Sequence, residues 1–174
     1  VMQLLWINII SDIFPGLALS MEPPEPDVLE QPPRDPQQPL FSPQDFRRMV
    51  KESAVMSAAA FGAYGYGLWR YGMGAGASTL AFQSLTIGQL LHTLSCRSES
   101  HPMFDPQGPP TNRYLNTALA ASLGAQTLTL LVPGIRGLLG LAPTTPLDVG
   151  VIAVSALSPL AINEMSKTRK RAET

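Results

Sequence analysis

Asn8, Ser11 and Asp12 interrupt an otherwise apolar stretch, NIISDIFPG, in which Pro15 and Gly16 follow at once. Spacing of i, i+3 and i+4 sets the three polar residues on one helix face. An amide oxygen, a hydroxyl and a carboxylate on one face are the oxygen donors that suit a hard cation. Pro15 adds to the set, because it offers no N–H to the carbonyl of Ser11 and its ring pushes that carbonyl aside. Gly16 permits an unwound backbone. The stretch therefore predicts a helix broken at Pro15-Gly16, with freed carbonyls beside the side-chain donors. Broken helices of this kind hold coupling ions near the bilayer midplane of transporters. An ionised aspartate at the centre of a membrane helix costs about 2.5–3.5 kcal/mol to insert. Asp12 thus marks either an ion path or a bond to a neighbouring helix. Three polar residues beside a backbone break favour the ion path.

The elements that must position these residues are legible as five runs with one charge or none: 1–21 (carrying Asp12), 53–69, 71–96, 114–135 and 149–163. The first four have the roughly 17–25 residues that a spanning helix needs. The last either borrows from Thr144–Leu147 or is tucked among its neighbours. The reading is an all-α membrane protein, a bundle of five transmembrane helices at about 1–21, 50–71, 77–96, 114–133 and 146–164. A Pro-rich cytoplasmic loop, 22–45, follows the first helix, and 165–174 form a cytoplasmic tail. Basic residues set the orientation. Ten of the 12 Lys and Arg fall on the side of loop 22–45, and only Arg70 and Arg136 fall opposite. That asymmetry puts the C-terminus in the cytoplasm of an integral protein of the plasma or inner membrane. A net charge of −1 gives no ground for a nucleic-acid partner. One cysteine, Cys96, excludes an internal disulfide and reads as a free thiol near the inner interface. There is no signal-peptide pattern, and a chain that opens at Val1 inside a hydrophobic helix reads as the tail end of something longer.

Loop 22–45 is dense in proline and must run extended. It is either a linker or, through Val28, Leu29, Leu40 and Phe41, a docking segment. Ser42, Pro43 and Asp45 predict a capped helix start. Ala59, Ala63 and Gly67 repeat every four residues, as do Ala118/Ser122, Ala120/Gly124 and Ala121/Ala125, a pattern that lets helices approach closely in lipid. Trp69, Arg70 and Tyr71 form an interfacial anchor. Gln83, Gln89 and His92 are polar positions in the third helix, Pro133-Gly134 ends the fourth, and Pro159 should kink the fifth.

LLWINIISDIFPGLALSMEPPEPDVLEQPPR resembles the sixth membrane helix and following cytoplasmic loop of P-type cation-transporting ATPases, closest in pattern to the calcium-pump-like branch. FQSLTIGQLLHTLS resembles the eighth helix and AINEMSKTRKR the end of the tenth, so the likeness covers helices six to ten. It implies that Asn8 and Asp12 are cation ligands, with Ser11 at the position of the family's threonine. It also implies that loop 22–45 touches the phosphorylation domain. Gln89 stands where a calcium pump has a carboxylate, and is either a ligand or an interhelical hydrogen bond. The candidate ligand set is Asn8, Ser11, Asp12 and Gln89, with calcium the leading transported cation and a monovalent ion, a single divalent ion or protons also open.

The family's DKTG and TGE motifs are absent from these residues, so ATP and Mg2+ belong to catalytic domains that the chain does not contain. The implied partners are the remainder of the pump and the lipid bilayer. A different class of reading is a stand-alone, non-catalytic membrane scaffold or partner subunit derived from such a pump.

Overall fold

The computed structural model describes residues 1–24, 41–98, 103 and 110–172, with side chains as far as Lys167. Most of loop 22–45, including Val28, Leu29 and Leu40, and the side chains of the basic tail lie outside the described residues. The described chain is all helical, with no strand. Its first helix, Met2–Leu19, divides into α1 (Met2–Ile7), a π-helical segment (Asn8–Ile13) and α2 (Phe14–Leu19). Then come α3 (Pro43–Tyr71), α4 (Ala75–Ser95), α5 (Arg113–Leu131), the short α6 (Pro133–Leu138) and α7 (Pro146–Ala172).

Local chemistry accounts for the boundaries. The Ser42 hydroxyl accepts from Asp45 N–H at 3.2 Å and the Asp45 carboxylate accepts from Ser42 N–H at 2.8 Å, the reciprocal cap that the SPQD stretch predicts. At the far end of α3, Gly72 takes φ 72°, a left-handed angle that glycine adopts without strain, and α4 starts within three residues. Asn112 caps α5 by accepting from Leu115 N–H at 3.0 Å. Pro133 ends α5 and also opens α6, a turn absent from the sequence reading. Helix α7 continues through Pro159.

Two packing units share α4. In the first, α3, α4 and α7 close on the small-residue stripe: Ala63 and Gly67 are buried, and Ala63 packs with Leu80 and Ile152. A Cβ at Gly67 would stand 2.6 Å from the Ala77 Cα, so here backbone meets backbone. The end of this unit where α3 meets α4 is tied by Asp148, wholly buried, which accepts from the Tyr71 hydroxyl at 2.6 Å and from Thr145 N–H at 2.7 Å. In the second unit, Ile10 and Ala18 of the first helix pack with Leu90 of α4 and Leu115 and Leu119 of α5.

Two helices among the described residues are long and apolar enough to cross a membrane, Met2–Leu19 with mean hydropathy 1.4 and Pro146–Lys167 with 1.5. The other three fall below that level for a chemical reason. They carry glycine and serine, and in α4 and α5 also threonine and glutamine, through their uncharged runs, as in α4, where Thr79, Gln83, Ser84 and Thr86 are all buried. Lack of charge and high apolarity are different properties, and five uncharged runs yield two strongly apolar helices.

Replacing Gly67 by valine tests the small-residue contact. Overpacking a close-packed interface costs about 1–3 kcal/mol, so Gly67→Val should lower the thermal unfolding midpoint in detergent. Gly62→Val on the same helix, where a Cβ meets nothing within 4 Å, should leave it unchanged.

Candidate cation site

The first helix departs from α geometry at Asn8–Ile13, one turn before the expected break at Pro15-Gly16. Pro15 and Gly16 themselves lie inside α2, with Pro15 in its first turn, where a missing N–H is tolerated. The distortion is thus a widening of the helix and not an unwinding. Its cause is still Pro15. With hydrogen bonds running five residues apart, the donor due to the Ile10 carbonyl is the nitrogen of residue 15, which in proline carries no hydrogen. The Ser122 hydroxyl of α5 donates to that carbonyl instead, at 3.0 Å.

Widening also changes which residues share a face. Ile10 and Ser11 are buried, whereas Asn8 and Asp12 are exposed. The single face expected for Asn8, Ser11 and Asp12 is therefore split: the hydroxyl goes to the interior and the amide and carboxylate to the open side. No hydrogen bond or ion pair with another described residue holds Asn8 or Asp12. The Ser11 hydroxyl is buried with no hydrogen-bond partner, and so is the Gln89 side-chain oxygen on α4. Buried oxygens normally find partners, which makes both available as acceptors for a cation. Among the described residues, no three of His, Cys, Asp and Glu come together. The candidate donors are one carboxylate and neutral oxygens. Beside the N-terminal half of the same helix lies an open apolar cavity of about 500 Å³, lined by Val1, Leu4, Ile7, Phe61, Tyr64 and Phe82.

Helix α5 holds the first helix in place by hydrogen bonds along one face. Its buried positions Leu115, Leu119, Ser122, Gln126 and Thr129 recur at alternating spacings of four and three. Near its start, the Asn112 amide donates to the Ala18 carbonyl at 3.0 Å and to Glu22 at 2.7 Å. Glu22 also pairs with Arg97 at 2.7 Å, which fixes the point where the Pro-rich loop begins. Towards the other end, the Trp6 indole donates to the Gln126 oxygen at 2.8 Å. The Gln126 amide donates to the Gln83 oxygen at 2.8 Å, and the Gln83 amide to Thr129 at 2.7 Å. Gln83, Gln126 and Thr129 are all fully buried, so this chain of bonds joins the first helix, α4 and α5 in dry surroundings. Of these residues the sequence reading singled out Gln83 and, as a small residue, Ser122. The recurring polar positions at heptad-like spacing on α5 were the available signal.

A chain whose described residues are all helical, and one of whose two strongly apolar helices carries a π-widened NIISDI segment, is similar to known proteins along its whole length. A family model described as "Cation transporting ATPase, C-terminus" matches residues 1–169. The chain belongs to the P-type cation-transporting ATPases, in their C-terminal membrane region. It is 30% identical over 171 residues to the calcium-transporting ATPase of Bacillus subtilis, covering 97% of this chain and 19% of that protein. It is 32% identical over 152 residues to the "Probable cation-transporting ATPase F" of Mycobacterium tuberculosis, 86% of this chain and 16% of that protein. With calcium-transporting ATPase 1 of Schizosaccharomyces pombe it shares 26% over 170 residues, 98% of this chain and 19% of that protein. The chain thus spans less than a fifth of the length of these relatives.

Gln126→Leu removes the acceptor of the Trp6 indole and the donor to Gln83 while keeping side-chain bulk. Each buried group left unpaired costs about 1–3 kcal/mol. The variant should unfold at a lower temperature in detergent, with an altered Trp6 fluorescence maximum, whereas Gln126→Glu, which keeps the indole acceptor, should retain the native emission.

Proposed function

We propose that this chain is the membrane portion of an ATP-driven cation pump, with Asn8, Ser11 and Asp12 on the first helix and Gln89 on α4 supplying cation ligands. The observation that carries the reading is the π-widened segment: an apolar helix bends its backbone and leaves a carboxylate, an amide and a buried hydroxyl without partners in the described chain. The exposed side of Asn8 and Asp12 is the side that the rest of the pump completes. All five long helices cross the bilayer, and the polar positions Gln83 of α4 and Ser122, Gln126 and Thr129 of α5 are buried against protein and not turned to lipid. The basic ends support a cytoplasmic C-terminus. Arg47, Arg48, Lys51, Arg97, Arg113 and Lys167 cluster where Glu22–Arg97 and Ser95–Glu164 bonds tie the helices, and Arg70 and Arg136 lie at the other end. Loop 22–45 then leaves on the cytoplasmic side, in position to meet the phosphorylation domain. Two of the named relatives are calcium-transporting ATPases, which makes calcium the first ion to test.

The experiment is calcium-dependent phosphorylation and uptake by the intact pump in membrane vesicles. Asp12→Asn should raise the half-activating calcium concentration at least about tenfold, the factor that corresponds to about 1.4 kcal/mol of binding, or abolish the response. Unchanged transport and unchanged cation-stimulated phosphorylation in that variant would remove Asp12 from the site.

A further inference from the structure

Helix α5 carries none of the candidate ligands, yet it makes the contact on which their geometry depends. Pro15 cannot donate to the Ile10 carbonyl in the five-residue register of the π segment. The donor that replaces it is the Ser122 hydroxyl, 2% exposed and 3.0 Å from that carbonyl. Ile10 sits between Asn8 and Asp12 and directly precedes Ser11. A carbonyl stripped of its donor in a dry interior would draw the local backbone toward another partner. The Phe14 N–H of an ordinary α-helical turn is the nearest candidate. Recovering that bond would narrow the helix and return Asn8, Ser11 and Asp12 to ordinary helical angles. Asn112 at Ala18 and Gln126 at Trp6 fix the helix on either side, so Ser122 acts on a segment held at both ends.

We infer that Ser122 is a positioning residue for the cation site: its hydroxyl stands in for the missing N–H of Pro15, holds the π-widened register, and thereby sets the affinity of the pump for its cation. The inference rests on the cation-site reading above. Ser122 touches no ion; it acts through the Ile10 carbonyl. Small size alone is not its role, since alanine would fit and pack equally well between helices.

The test is cation-activated phosphorylation of the intact pump in vesicles, with calcium as the probe, for Ser122→Ala, Ser122→Thr, the exposed α5 control Thr127→Ala, and Asp12→Asn. Ser122→Ala should raise the half-activating calcium concentration about fivefold, the scale of one buried hydrogen bond, with the maximal phosphorylation level retained. Ser122→Thr, which keeps the hydroxyl, should restore the affinity, and Thr127→Ala should match the unaltered pump. An unchanged half-activating concentration in Ser122→Ala, a fall in maximal level alone, or a threonine variant no better than alanine overturns the inference. Asp12→Asn separates the two failures. If it abolishes activation while Ser122→Ala does nothing, the site stands and the positioning role falls. If Asp12→Asn has no effect, the cation-site reading falls first.

Discussion

One absent hydrogen governs the geometry of this chain. Proline at position 15 deletes a backbone donor in the middle of its most N-terminal helix, and an interior carbonyl left without a donor is costly. The chain resolves the deficit by widening the preceding turn and by bringing the Ser122 hydroxyl of a distant helix to the Ile10 carbonyl at 3.0 Å. Everything else in the second packing unit follows that contact. Helix α5 must run alongside the first helix, present serine and glutamine on its inner face, and anchor through Asn112 at the end where the Pro-rich loop departs.

The two packing units therefore use different adhesives. Between α3, α4 and α7 the contact is largely steric, with Gly67 admitting the Ala77 backbone and Ala63 meeting Leu80 and Ile152, and hydrogen bonds join α3 to α7 at Tyr71–Asp148 and at Ser155–Ala59. Between the first helix, α4 and α5 it is polar, through Gln83, Gln126, Thr129, Trp6 and Ser122. Lipid offers helices no hydrophobic reason to associate, so close approach of small residues and interhelical hydrogen bonds are the means left. Close backbone packing has one arrangement and resists change. Hydrogen bonds between side chains tolerate small rotations, and the unit that carries the candidate ligands is the one held by them. Helix α4 belongs to both, with Leu80 and Gly88 turned to the steric side and Gln83 and Leu90 to the polar side.

Much of this was legible in the residues. Hydrophobic runs and the SPQD cap located α3, and the four-residue stripe of Ala59, Ala63 and Gly67 named its buried face, because each depends on spacing along a single helix. Asn8, Ser11 and Asp12 stood out for the same reason. What spacing could not supply was the response of the backbone to Pro15. A break and a widened turn both relieve the missing N–H, and the choice between them is made by Ser122, more than a hundred positions away. The same limit hid the network at Gln126. A glutamine in an apolar run shows that a partner exists and not which one. Absence of charge does not report apolarity either: α4 is uncharged, yet its buried threonines, serines and glutamine lower its hydropathy.

The departure at Gln89 bears on the charge of the proposed site. Calcium affinity in oxygen sites follows the number of charged ligands and the rigidity with which they are held. Asp12 is the one carboxylate among Asn8, Ser11, Asp12 and Gln89, and a glutamine oxygen contributes a dipole in place of a charge. A doubly charged ion bound by these four groups would keep a net positive charge in a low-dielectric interior, where uncompensated charge is expensive. For a divalent ion, the proposed site would need at least one further carboxylate, and the open side where Asn8 and Asp12 are exposed has room for it. Rigidity is the property this chain can supply by itself. With a charge-poor ligand set, the proposed site depends the more on how firmly its helix is held, at Ile10 through Ser122 and at Trp6 through Gln126.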